Sequence, residues 1–195
     1  MALVEWGLAE RPFPGEEVSG DLCVVEDLGE SVLAAVIDGL GHGPEAHHAA
    51  ERVADAVRAH RSAPLPSLMQ AAHRSANGTR GAAVTLGRFD STGVELLAVG
   101  NVSGVVLRPN ESTELRRVPL RGGIVGFRLP SLGQVDRLPL EPEDRVLLVS
   151  DGIRSDFARQ LDAHLPPADL AERLLSSCAR ESDDATVLVV RYRGE

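Results

Sequence analysis

The sequence predicts an α+β sandwich with helices packed outside antiparallel sheets, on three observations. Short runs of Val, Leu and Ile bounded by Gly, Pro, Asp and Asn recur along the 195 residues, the pattern of strands and their turns. Three longer stretches carry the three- and four-residue apolar spacing of helices. The order of strands, helix pair, strands, helix and strand segregates the helices instead of alternating them with strands.

Taken in order, the first strands are expected at Leu3–Ala9, Leu22–Glu26 and Val32–Ile37. Runs that are nearly continuous in Val, Ile and Ala need cover on both faces. From Pro44 to about Arg61, Ala46, Ala49, Ala50, Val53 and Val57 form one apolar stripe, with Glu45, Glu51, Arg52, Asp55 and Arg58 mostly elsewhere, so a helix packs on one side and meets water on the other. A second helix over Ser67–Ala76 ends at Asn77-Gly78, a common stop. Strands follow at Ala83–Phe89, Val94–Val99, Gly104–Arg108, Glu114–Val118 and Arg145–Val149, then a short helical piece after Gly152. A third helix starts near Pro167, with proline suited to its first turn, and lines up Leu170, Ala171, Leu174 and Cys178. The last strand is Thr186–Tyr192. Arg61–Pro66 and Arg108–Ser112 read as loops inside one domain spanning 1–195, because neither side alone would hold a complete core.

Composition narrows the function. Apolar residues make up 43 % and charged residues 25 %, the balance of a globular chain rather than a disordered one. Aromatic residues are only 3 %, so Val, Leu, Ile and Ala must fill the core. The 29 acidic against 20 basic residues give a net charge of -9, which argues against nucleic-acid and membrane-surface partners, since both favour a cationic face. With no apolar N-terminal run and no stretch long enough to span a bilayer, the expected location is the cytoplasm. Cys23 and Cys178 match no metal spacing and are expected as reduced, packed thiols. The absence of a Gly-x4-Gly-Lys-Ser/Thr loop removes nucleotide-driven phosphoryl transfer of that type.

The informative feature is where the acids fall. Asp38 follows the run Val32–Ile37 and opens Asp38-Gly39-Leu40-Gly41-His42-Gly43; Asp151 follows Arg145–Ser150 and opens Asp151-Gly152. Both lie at C-terminal ends of strands. Asp21, in Ser19-Gly20-Asp21, and the pair Asp183-Asp184 lie at N-terminal ends. In an antiparallel sheet those ends are neighbours, so all four positions are able to gather on one edge. Carboxylates that close repel unless cations intervene. Hard divalent ions prefer oxygen ligands, and a binuclear site lowers the pKa of a shared water and clamps a phosphoryl group. Gly39 and Gly152 are expected to make tight turns and to let metal or substrate approach the backbone.

Ser19-Gly20-Asp21, Val36-Ile37-Asp38-Gly39-Leu40-Gly41-His42-Gly43, Val149-Ser150-Asp151-Gly152-Ile153 and Ser182-Asp183-Asp184-Ala185-Thr186-Val187 together resemble the metal-dependent protein phosphatase family (protein phosphatase 2C-like, PPM-type), in its SpoIIE-like bacterial branch. Within that branch Gly78-Thr79-Arg80-Gly81-Ala82 and Gly100-Asn101-Val102 are most similar to the stressosome feedback phosphatase (RsbX-like). The resemblance implies a four-layer α-β-β-α sandwich with two Mn²⁺ or Mg²⁺ ions at one end. It implies Asp38 as the bridging ligand, Gly39 as a backbone-carbonyl ligand, Asp151 and Asp183 completing the first metal site, and Asp21 on the second. It implies hydrolysis by metal-bound hydroxide attacking phosphoserine or phosphothreonine, with Asp38 and Asp151 acting through the bound water, and phosphorylated STAS-domain proteins of a bacterial stress pathway as substrates. Many members carry a general-acid His directly after the Asp-Gly; here that position is Leu40, and His42, two residues on, is the remaining candidate. Asp184 stands where many members have Asn and is expected to support the ligands. Arg11 is expected in a loop without the context of a phosphate-binding arginine. Thr79-Arg80-Gly81 reads as a plain turn, and His47 and His48 as packed or solvated side chains. The alternatives are a phosphatase-like binding module without turnover and a hydrolase of small phosphoesters.

Overall fold

A computed structural model describes residues 2–109 and 115–194. In chain order it contains β1 (Val4–Arg11), β2 (Asp21–Asp27), β3 (Val32–Gly39), α1 (Gly43–Ala59), α2 (Leu65–Ser75), β4 (Ala82–Asp90), β5 (Gly93–Val99), β6 (Ser103–Leu107), β7 (Arg116–Arg117), β8 (Leu120–Arg121), β9 (Asp136–Leu138), β10 (Arg145–Val149), α3 (Pro167–Cys178) and β11 (Ala185–Tyr192). One sheet runs β1-β11-β10-β6-β7 and the other β2-β3-β4-β5-β8, with β9 also on β5.

The period of two in each strand builds the layers. In β3, Leu33, Ala35 and Ile37 pack under α1 and α2 with Val53, Val57, Leu68 and Met69. Its alternate residues Val32, Ala34 and Val36 face the other sheet, where Val146, Leu148, Leu188 and Val190 meet them. The second sheet's outer face, through Leu147, Val149, Val187 and Val189, packs on Leu170, Leu174 and Cys178 of α3. Three apolar interfaces therefore separate four layers, α-β-β-α, and a strand covered on both sides must be apolar throughout. Alanines at 46, 49, 50 and 54 are fully buried in α1; their small size lets the helix lie close to its sheet.

The structure departs from the sequence reading in several places. The strands β8 and β9 are additions to it: both are short and carry charged residues, so no apolar alternation marks them, and they are held by pairing with β5. The β5–β8 pair is parallel, so that sheet is mixed. Of the strand expected at Glu114–Val118 only Arg116–Arg117 forms β7, and Glu114 lies outside the described residues, as do positions 110–112 of the expected loop. The helical piece after Gly152 is a 3-10 segment, Ser155–Gln160. Arg11 is not in a loop: it is the last residue of β1, opposite Ala185. Among the described residues no helix is long and apolar enough to cross a membrane.

Candidate active site

Sheet register brings the acids together. Asp21 opens β2 directly opposite Asp38 near the end of β3, and like charges so placed destabilise a sheet. In the other sheet Val149 pairs with Val187 and Ser150 N–H donates to the Thr186 carbonyl at 3.1 Å, which sets Asp151 beside the Asp183-Asp184 segment. The two sheet ends then meet: the Asp184 Oδ2 atom lies 2.8 Å from where a Cβ on Gly20 would be. Asp21 and Asp184, 3 % and 2 % exposed, form the floor; Asp38 and Asp183 are half-buried walls, and Asp151 stands at the mouth.

This crowding is written in the protonation. The Asp38 carboxyl is pushed up to about 9, first by burial and then by the charges of Asp21, Asp151 and Asp183, with a hydrogen bond to Asp151 acting the same way. Burial chiefly lifts Asp21 to about 7, with Asp184 and Asp183 adding to it and a hydrogen bond from Ser150 opposing it. Asp183 is raised as well, by burial and then by Asp151. Without a cation the cluster therefore favours keeping a proton, with Asp38 the most strongly raised of its members.

The glycines are also required by packing. A Cβ on Gly39 would sit 2.2 Å from the Ala46 carbonyl oxygen, and one on Gly152 would sit 1.8 Å from that of Asp184. The space on the side where a Cβ would stand is filled by α1 and by the start of β11. Both glycines allow the backbones that carry the acids to close together.

Several supporting contacts had no assigned role in the sequence. Asn101 Nδ2 donates to Asp151 Oδ2 at 2.6 Å; the Gly100-Asn101-Val102 motif is visible in the sequence, but its target is not. Phe13 N–H donates to Asp184 Oδ1 at 2.8 Å, which ties the Pro-rich segment after β1 to the floor. His42 caps α1 without a side-chain cap bond; its Nδ1 lies 2.9 Å from Glu16 Oε1 and its ring stacks on Phe13 with centroids 4.0 Å apart. His47 Nδ1 reaches the Ser19 carbonyl at 2.7 Å, fixing the turn before Asp21; this is a packing role, as expected. Burial raises both thiols, Cys23 to about 12 and Cys178 upward, so neither is a thiolate nucleophile.

Among the described residues no three His, Cys, Asp or Glu side chains already close around one point as a ligand group. The Oδ2 atoms of Asp21, Asp38 and Asp184 are nevertheless buried without any partner, and such lone pairs are costly to leave unmet. A hard divalent ion that keeps several of its own waters and takes only one or two carboxylates would satisfy them without a finished cage. The donor set is all oxygen, so the residues present fit Mg²⁺ or Mn²⁺ and not a thiolate-seeking metal.

The model of the Stage II sporulation protein E (SpoIIE) family matches residues 29–193. No curated protein sequence matches the chain. Among solved structures, one described as "The bacterial stressosome: a modular system that has been adapted to control secondary messenger signaling" superposes with TM-score 0.88 at 30% identity, covering 96% of this chain and 99% of that one. RsbX in complex with magnesium superposes with TM-score 0.84 at 18% identity, covering 97% and 95%. The Mycobacterium tuberculosis serine/threonine phosphatase PstP/Ppp gives TM-score 0.78 at 17% identity, covering 98% and 100%. At these lower identities the likeness is one of fold.

Proposed function

The chain belongs to the SpoIIE family of PPM-type serine/threonine phosphatase domains, and on that premise we propose that it is a divalent-metal-dependent phosphatase acting on phosphoserine or phosphothreonine in STAS-domain proteins of a stress-signalling assembly. One observation carries the metal dependence: three buried carboxylate oxygens without partners, on Asp21, Asp38 and Asp184, in a cluster that raises its own proton affinity. The likeness to a stressosome structure over nearly the whole of both chains supports the substrate class.

In this reading Asp38, Asp21, Asp151, Asp183 and the Gly39 carbonyl hold two ions. When bound, the ions supply an acidified water and positive charge for the phosphoryl oxygens. The chain's own residues prepare the site. Asp38 gives up its proton as cations bind, since the charged form becomes the favoured one. Asn101 orients Asp151, and Phe13 and Gly20 keep Asp184 against the floor. His42, stacked and bonded through Nδ1, keeps Nε2 available at the rim and, when protonated, supplies a proton to the leaving serine or threonine oxygen.

The test is release of phosphate from a phosphorylated STAS-domain protein with Mn²⁺ or Mg²⁺, compared with chelator and with small phosphate esters. Turnover of the phosphoprotein, lost in Asp151→Asn, is expected. Turnover of small esters alone would overturn the substrate class, and phosphoprotein binding without turnover would leave a binding module.

A further inference from the structure

The acid cluster presents a problem to its own substrate. A phosphomonoester carries close to two negative charges at neutral pH and must approach Asp21, Asp38, Asp151 and Asp183; a side-chain cation at the mouth would offset that repulsion. Two arginines near β1 and α3 are engaged elsewhere: Arg11 donates to the Arg180 carbonyl, and Arg154 to the Ser177 carbonyl at 3.0 Å and to Asp156. Arg80 is placed differently.

We propose that Arg80 is the residue that grips the substrate's phosphoryl group, a role that rests on the phosphatase reading above. Its Nη1 lies 2.8 Å from where a Cβ on Gly41 would be, so the guanidinium is laid against the loop that follows Asp38. A side chain at 41 would displace it, and φ of +89° there suits glycine. The segment bearing Arg80 is braced. Thr79 Oγ1 donates to the Ala76 carbonyl at 2.7 Å and accepts from Gly81 N–H at 3.0 Å. Leu40 N–H in turn donates to the Gly81 carbonyl at 3.0 Å, which locks the segment to the Asp38 loop.

Arg80 is ion-paired with Glu45 of α1, and the two side chains are 48% and 73% exposed. An ion pair that open to water is weak, whereas a guanidinium fork on two phosphate oxygens is among the strong charge-assisted contacts. Glu45 therefore parks the guanidinium until a phosphoryl group displaces it. A cavity of about 530 Å³ lined by Pro44, Glu45, His48, Gly78, Thr79 and Arg80 opens alongside and gives room for the residues flanking the phosphorylated one.

The experiment titrates inorganic phosphate calorimetrically into Mg²⁺-loaded parent, Arg80→Ala, Arg80→Lys, Glu45→Gln and Arg180→Ala, and measures kcat and KM on a synthetic phosphoserine peptide. Arg80→Ala is expected to weaken phosphate binding by about tenfold or more, with the kinetic loss mainly in KM. Arg80→Lys falls between, and Glu45→Gln tightens phosphate about twofold by removing the competitor; a merely structural arginine would show neither. A parent that binds no phosphate, an Arg80→Ala variant within about twofold of the parent, or a loss appearing instead in Arg180→Ala overturns the proposal. Hydrolysis of the peptide by parent and Arg80→Ala alike would sink Arg80 and spare the phosphatase reading. Arg80-dependent phosphate binding without hydrolysis would do the reverse.

Discussion

Replacing Asp38 by Asn should make the metal-free protein more stable while removing its response to divalent ions. The Asp38 carboxyl has its proton affinity raised from 3.8 to about 9 on folding. At pH 7 the unfolded chain gains from ionising that group and the folded one does not, a difference of up to about 4 kcal/mol. An amide is neutral in both states and avoids it. Burying an amide with imperfect partners returns roughly 1–2 kcal/mol, so a net gain of about 2 kcal/mol is expected, or roughly 4–8 °C in melting temperature for a domain of this size. The sign with pH is definite. A carboxyl that binds its proton more tightly when folded favours the fold at low pH, and that contribution is lost as pH rises from 3.8 through about 9 for Asp38, and from 3.8 through about 7 for Asp21. The advantage of the amide should therefore vanish at about pH 5, reverse below it and widen through pH 8. The assay is thermal melting in chelator at several pH values, repeated with Mn²⁺, which should raise the parent's melting point by mass action and leave the variant nearly unmoved. An Asp38→Asn variant melting at or below the parent in chelator at pH 8 refutes the reasoning.

The other consequences are smaller in scope. The Mn²⁺-induced melting shift of the parent should grow between pH 6 and pH 8, because ions compete with protons for Asp21 and Asp38; a shift that shrinks over that range contradicts the cluster's protonation. Asn101→Ala frees Asp151 at the mouth and should cut turnover by roughly tenfold to a hundredfold, the usual cost of losing an outer support to a ligand, with melting in chelator little changed. His42→Ala should slow a phosphoserine peptide by about a hundredfold but barely slow an aryl phosphate ester, whose leaving group needs no proton; equal losses on both would remove the proton-donor role. Gly152→Ala places a methyl 1.8 Å from the Asp184 carbonyl and should destabilise by about 3 kcal/mol or more, seen as a lowered denaturation midpoint.

How much of this was legible beforehand depends on what each element is made from. The continuous apolar runs Val32–Ile37 and Arg145–Val149 announced strands covered on both faces, and the alanine stripe of α1 announced its packed side, because burial leaves a periodic imprint on the residues that undergo it. The Leu120–Arg121 and Asp136–Leu138 strands carry no such imprint, being short pieces whose identity comes from backbone pairing with β5, and of the strand read at Glu114–Val118 only Arg116–Arg117 pairs, with β6. The acids of the site were legible by position, since a strand end is recognisable where an apolar run stops at Asp-Gly. The contacts around those acids were not: Asn101 and Phe13 reach Asp151 and Asp184 across 50 and 171 positions of chain, while Glu16 and Arg80 reach the neighbouring His42 and Glu45 across 26 and 35.

Alternation of apolar residues and the turns that punctuate them thus settled, from the chain alone, which segments would be layers and which ends would carry carboxylates. Tertiary structure alone decided that Asp21 faces Asp38 in register, that neighbouring backbone fills the Cβ side of Gly39 and Gly152, and that burial and nearby acids raise the proton affinity of Asp38. The reason is physical: burial and periodicity are local properties of a segment, whereas the proton affinity of a carboxyl and the reach of a guanidinium are set by whatever remote groups folding places beside them.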